Sequence, residues 1–130
     1  LQSDLLDLLH ATATGALAGK TAEWTPEAAL TTVIAAKGYP GEYARGTVIG
    51  ALPAETPQLV VFHAGTKREK GQLLANGGRV LNVTTLGATV AEAKERADAA
   101  IAEIDWPDGF HRHDIGWRAI QRERNARLDG

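Results

Sequence analysis

The apolar residues of this chain come in short runs, and that limits most strongly what it can fold into. Residues 30–36, 58–64 and 80–84 are rich in valine, isoleucine, leucine and threonine, and polar or glycine-containing stretches bound each run. Runs of that length with β-branched character read as strands rather than helices. One segment keeps helical spacing throughout: Thr89 and Glu92 form a capping box, and Val90, Ala93, Ala97, Ala100, Ile101 and Ile104 mark one face. The strand–helix alternation of a parallel sheet is missing. The expected class is therefore α+β with a largely antiparallel sheet.

Local signals sharpen this. Ser3 can cap a first helix with Asp4 and Asp7 in its first turn, Leu5, Leu8, Leu9, Thr12, Ala13 and Ala16 along it, and Gly19 as its stop. Its leucine stripe predicts packing against something beyond the chain. Residues 30–36 are expected to be a buried strand and 58–64 a central one. In Tyr39-Pro40-Gly41-Glu42, proline pre-sets the first central dihedral and glycine supplies a positive second one, which predicts a type II turn. Asn76-Gly77, between Leu73-Leu74 and residues 80–84, predicts a two-residue hairpin. After Pro107 and Gly109, residues 118–127 suit a short charged helix, and Trp117 is expected to anchor the chain end on the core.

Hydrophobic residues make up 44% and charged ones 23%, ordinary for one soluble domain. Without cysteine there are no disulfides and no thiolate zinc ligands, so the cytoplasm is the default location. No apolar run approaches the roughly 18 residues needed to span a bilayer. A net charge of −2 provides no broad positive field, so neither membrane nor nucleic acid is an expected partner. The chain opens on Leu1 and has no methionine, which suggests a piece of something longer.

Three segments are candidates for chemistry. Residues 37–43 bring Lys37, Tyr39, Tyr43 and backbone amides together on a turn after a strand, a loop suited either to an anionic ligand or simply to turning the chain. His63, at a strand end, lacks an acid or nucleophile at diagnostic spacing; a backbone partner is expected for it, and a solvated hairpin loop over residues 67–70. His111, His113 and Asp114 are zinc-ligand types, and the histidines share a face of an extended segment, but no second cluster accompanies them. No metal site is expected. Arg118, Arg122, Arg124 and Arg127, interrupted by Glu123 and Asp129, read as a solvated helix.

Four strings in order carry more information: Val33-Ile34-Ala35-Ala36-Lys37-Gly38-Tyr39-Pro40-Gly41, Val61-Phe62-His63-Ala64-Gly65-Thr66, Gly78-Arg79-Val80-Leu81-Asn82-Val83-Thr84 and Asp114-Ile115-Gly116-Trp117-Arg118. In order and spacing they resemble the C-terminal domain of the glycinamide ribonucleotide synthetases (phosphoribosylamine glycine ligases), a family of ATP-grasp enzymes. The resemblance implies a small, mostly antiparallel, barrel-like sandwich capping an active-site cleft. It implies residues 1–24 as the last helix of the ATP-grasp domain plus linker, 25–121 as the cap, and 122–130 as a charged tail. The activity implied for the whole protein is the joining of 5-phosphoribosylamine and glycine with ATP hydrolysis through a glycyl phosphate, in purine biosynthesis. ATP and magnesium or manganese would serve the full-length enzyme and no cofactor this piece alone; its partners would be the missing N-terminal and ATP-grasp domains. No catalytic residue carries over, and Lys37, Gly38 and Tyr39 are the positions expected nearest the cleft. The competing reading is a free-standing, non-catalytic interaction module.

Overall fold

The computed structural model describes residues 1–128. In chain order these form α1 (Leu5–Ala13), β1 (Ala28–Ala36), β2 (Val48–Ile49), β3 (Leu59–His63), β4 (Thr66–Glu69), β5 (Gln72–Ala75), β6 (Arg79–Gly87), α2 (Val90–Ala102), β7 (Gly109–Phe110) and α3 (Trp117–Leu128). Two antiparallel sheets result, one ordered β3-β6-β1-β7 and the other β2-β5-β4. They do not close into a barrel. Asp129 and Gly130, the end of the expected tail, lie outside the described residues.

Alternation along β1 and β6 sorts their side chains between two faces. Leu30, Thr32 and Ile34 sit opposite Thr85, Val83 and Leu81, all buried. Leu59 and Val61 of β3 extend that face, and α2 lies over it with Ala93, Ala97 and Ala100 inward. The short alanine side chains bring the helix close to the sheet, and the buried Thr85 hydroxyl donates to the Ala93 carbonyl at 2.7 Å. On the other face Thr31, Val33 and Phe62 are exposed, and the Thr31 and Thr84 hydroxyls meet at 2.8 Å. The sheet thus has one dry side and one open side.

Thr32 breaks the pattern. Its hydroxyl is buried and finds no hydrogen-bond partner among the described residues. An unpaired buried hydroxyl carries a desolvation cost with no return. Thr32→Val, of similar shape and favoured in strands, is expected to stabilise the fold by about 1 kcal/mol. Chemical denaturation measures this, and a loss of stability would show that the hydroxyl is satisfied.

The helix termini explain where the helices start and stop. The capping box on α2 forms: Thr89 Oγ1 accepts from Glu92 N at 3.1 Å, while the Glu92 carboxylate accepts from Ala88 N at 2.8 Å, one residue before the cap. Two more free amides of that end, Val90 N and Ala91 N, donate to Glu123 at 2.8 and 3.4 Å. The expected charged C-terminal helix is α3, which buries no residue yet is tied in by this carboxylate. For α1 the cap is Asp4, not Ser3: Asp4 Oδ1 accepts from Leu6 N and Asp7 N, whereas Ser3 Oγ accepts from Glu23 N at 2.8 Å. The helix also ends ahead of Gly19, because Gly15 already adopts positive φ. Leu5, Leu6 and Leu9 of α1 stay exposed; Ala11 is its one buried residue, and none of its residues joins the central apolar cluster.

Three connections differ from expectation. Residues 58–64 yield β3 at an edge of its sheet, because β6 takes the central place between β1 and β3. Asn76-Gly77 makes no hairpin; β5 pairs with β4 and β2, β6 with β1 and β3, and the dipeptide crosses from one sheet to the other. The tight hairpin instead joins β4 to β5 through Lys70 and Gly71, which both take positive φ as a two-residue turn demands, so residues 67–69 are strand rather than loop. The anchoring indole is Trp106, 5% exposed, and not Trp117, 50% exposed with the Arg118 guanidinium 5.2 Å from its ring. Trp117 begins a helix that packs at the rim, whereas Trp106 precedes β7 and joins the buried cluster.

Candidate functional site

The loop after β1 lies at the end of the open sheet face. Ala36 N donates to Gly78 O and Lys37 N to Asp108 O, both at 2.8 Å, so the loop's root is held on two sides. The type II turn is not formed, since positive φ falls on Gly38 and not on Gly41; a side chain at Gly38 would strike the Glu42 carbonyl. The Tyr39–Pro40 peptide is cis. The Tyr39 ring then lies on Gly78, where any β-carbon would collide with it, and meets Tyr43 edge-on with centroids 6.2 Å apart. The Arg45 guanidinium is 5.6 Å from the Tyr43 ring centre.

A hollow of ≈ 580 Å³ opens beside Tyr39, lined also by Val33, Gly65, Gly78, Arg79 and Asn82. Its floor is backbone. Gly65 and Gly77 pass so closely that a β-carbon on Gly65 would stand 2.8 Å from Gly77 Cα and 2.6 Å from the Arg79 carbonyl. Asn76 N donates to Gly65 O at 2.7 Å and Gly65 N to Arg79 O at 3.0 Å, fastening the crossing between the sheets. Two glycines, one phenol, one guanidinium and one carboxamide give a shallow site offering donors to an anionic or carbonyl-bearing ligand.

Of the three positions expected nearest a cleft, Tyr39 lines this hollow, while Lys37 and Gly38 form the turn leading into it. Arg79 and Asn82 were not singled out by the reading of the residues. For Asn82 a signal was available: it interrupts the apolar run of β6 at a position opposite in phase to Leu81 and Val83, and so belongs to the open face.

The remaining candidates are dispersed. His63 Nδ1 lies 3.1 Å from the Thr66 hydroxyl, a side chain and not the backbone group expected. Asp114 receives two hydrogen bonds from the Arg112 guanidinium, at 2.9 and 2.6 Å, and these hold its carboxyl below the usual aspartate value. The rings of His111 and His113 meet edge-to-face at 4.4 Å. Among the described residues no group of three or more histidine or carboxylate side chains is placed to hold a metal ion, and no helix is long and apolar enough to cross a membrane.

Residues 29–118 match the family model for the phosphoribosylglycinamide synthetase C domain. The chain is 58% identical over 123 residues to a phosphoribosylamine–glycine ligase of Rhizobium meliloti, covering 95% of this chain and 29% of that protein. It is 53% identical over 127 residues to the ligase of the same name from Escherichia coli K12, covering 96% of this chain and 30% of that one. The chain thus spans about 30% of the length of the curated relatives it matches. A crystal structure of phosphoribosylamine–glycine ligase from Thermotoga maritima superposes with a TM-score of 0.68 at 33% identity, covering 83% of this chain and 27% of the other. With the match running through both sheets and α2 to the start of α3, the chain belongs to the family of phosphoribosylglycinamide synthetase C domains.

Proposed function

We propose that this chain is the C-terminal portion of a phosphoribosylamine–glycine ligase, and that its open sheet face and the loop of residues 37–43 cap that enzyme's active-site cleft. The whole enzyme joins glycine to 5-phosphoribosylamine with ATP hydrolysis. Glycine's carboxylate is activated as a glycyl phosphate and the amine displaces phosphate from it. ATP and its magnesium or manganese are held by the other domains, so this portion alone is inactive. The enzyme works in the cytoplasm.

One observation carries this reading: the hollow with Tyr39, Arg79 and Asn82 lies on the open face of the sheet, where Thr31, Val33 and Phe62 are exposed among the described residues. A cap shields a reactive acyl phosphate from water, and a solvent-facing sheet ending in hydrogen-bond donors suits that task. The arrangement of residues 1–24 agrees with it. Their helix exposes Leu5, Leu6 and Leu9, as the closing helix of an absent ATP-grasp body would, with residues 25–121 forming the cap and 122–130 its tail. Lys37 and Gly38 position Tyr39, and Arg79 bonds the substrate side of the cleft.

Arg79→Ala in the full-length ligase is the test. It is expected to lower kcat/KM for phosphoribosylamine or glycine roughly ten- to a hundredfold, the range for loss of a charged hydrogen bond, while leaving the melting temperature in place. Kinetics equal to wild type would remove this face from the cleft. Sustained ADP release by the 130-residue chain alone would contradict the assignment of catalysis to the other domains.

A further inference from the structure

Neighbouring residues of a strand point to opposite sides, and Ile34, next to Val33, helps line a second hollow on the other face of the sheet. Its volume is ≈ 460 Å³, within the span of small-molecule sites. Ile34, Ile101, Ile104 and Trp106 supply apolar lining from β1, α2 and the turn before β7. The polar lining is Asp98, His111 and His113, and these cluster, since His111 lies within electrostatic reach of both others and of Lys94.

The charged neighbours are already paired, Lys94 with Asp98 and Arg112 with Asp114. Among the described residues neither imidazole takes part in a hydrogen bond. A neutral imidazole offers one N–H and one lone pair, so two of them present both donors and acceptors to an occupant. An aromatic body satisfies the isoleucines and the indole, and ring nitrogens on its edge satisfy the imidazoles.

We propose that the hollow between α2 and β7 binds a planar heteroaromatic molecule of one or two fused rings, its apolar faces against Ile101, Ile104 and Trp106 and its nitrogen-bearing edge on His111 and His113. The site lies on the opposite face of β1 from the Tyr39 hollow, so the proposal does not depend on the ligase reading. Binding requires a neutral His111. Burial, and next the His113 and Lys94 charges, lower its pKa from the usual 6.5, while Asp98 opposes them. The site is therefore intact at neutral pH, and binding falls away as acidification protonates the ring.

Benzimidazole titrated into the 130-residue chain, followed through the imidazole C–H resonances of its four histidines, tests this. The resonances of His111 and His113 are expected to move saturably while those of His10 and His63 stay still. Ala102→Trp, which puts an indole at an exposed lining position, is expected to abolish the response, and His111→Ala to weaken binding about tenfold, the equivalent of one hydrogen bond. Amide dispersion in the same samples reports that each variant is folded. Equal movement of all four histidines, no movement at millimolar benzimidazole, or unchanged binding by folded Ala102→Trp would overturn the assignment.

Discussion

Trp106→Ala is expected to cost about 3 to 5 kcal/mol of stability, the range for removing a buried aromatic ring. The indole is 5% exposed and belongs to the central apolar cluster with Ile34 and Ala100. Its Nε1–H donates to Thr47 Oγ1 at 3.0 Å, joining the core to the segment just ahead of β2. Truncation therefore opens a cavity and leaves a hydroxyl without its donor. Domains of this size are stable by about 5 to 15 kcal/mol, so the variant sits near the edge of folding. Trp117→Ala is the matched control: half exposed at the start of α3, it is expected to shift stability by no more than about 0.5 kcal/mol. Urea denaturation of both variants decides, and equal effects would mean that the wrong indole has been named as the anchor.

Gly65→Val is expected to destabilise by about 3 kcal/mol or more, at the upper end of overpacking effects. The obstruction is backbone, since Gly77 Cα and the Arg79 carbonyl both lie within 3 Å of where the first added carbon must go. Neither can swing away as a side chain would. Moving them breaks the hydrogen bonds Asn76 N to Gly65 O and Gly65 N to Arg79 O, which fasten the two sheets together. Gly71→Val, at the tip of the β4–β5 hairpin where a β-carbon meets nothing, suffers only from its positive φ and is expected to cost less. A denaturation midpoint for Gly65→Val equal to wild type would refute the crossing as described.

The features legible in the sequence were those decided within a few residues. Thr89 and Glu92 announced the start of α2, and the spacing of Ala93, Ala97 and Ala100 announced its buried face, because capping and periodicity are local. Two local readings failed, the type II turn at residues 39–42 and the Ser3 cap, but the larger failures were in pairing between distant segments. Asn76-Gly77 carries the right residues for a hairpin, yet Leu73 and Leu74 satisfy their backbone better against β2 and β4, and β6 is drawn between β1 and β3 by its long apolar face. Trp106 and Trp117 look alike as isolated letters. Only the packing of β7 beside β1 distinguishes the covered indole from the wet one. The candidate site was half visible: the loop bearing Tyr39 stood out by composition and Asn82 interrupts the apolar run of β6, whereas Arg79 pairs with Ala35 at a register shift that no local pattern dictates.

The carboxylate of Glu123 stands beyond residue 118, where the family match stops, yet it closes the amide end of the helix that roofs the sheet. The stretch that must be kept for this architecture to hold is consequently longer than the C-domain match of residues 29–118. A protein trimmed to residues 29–118 would lose a clasp supplied from outside those borders.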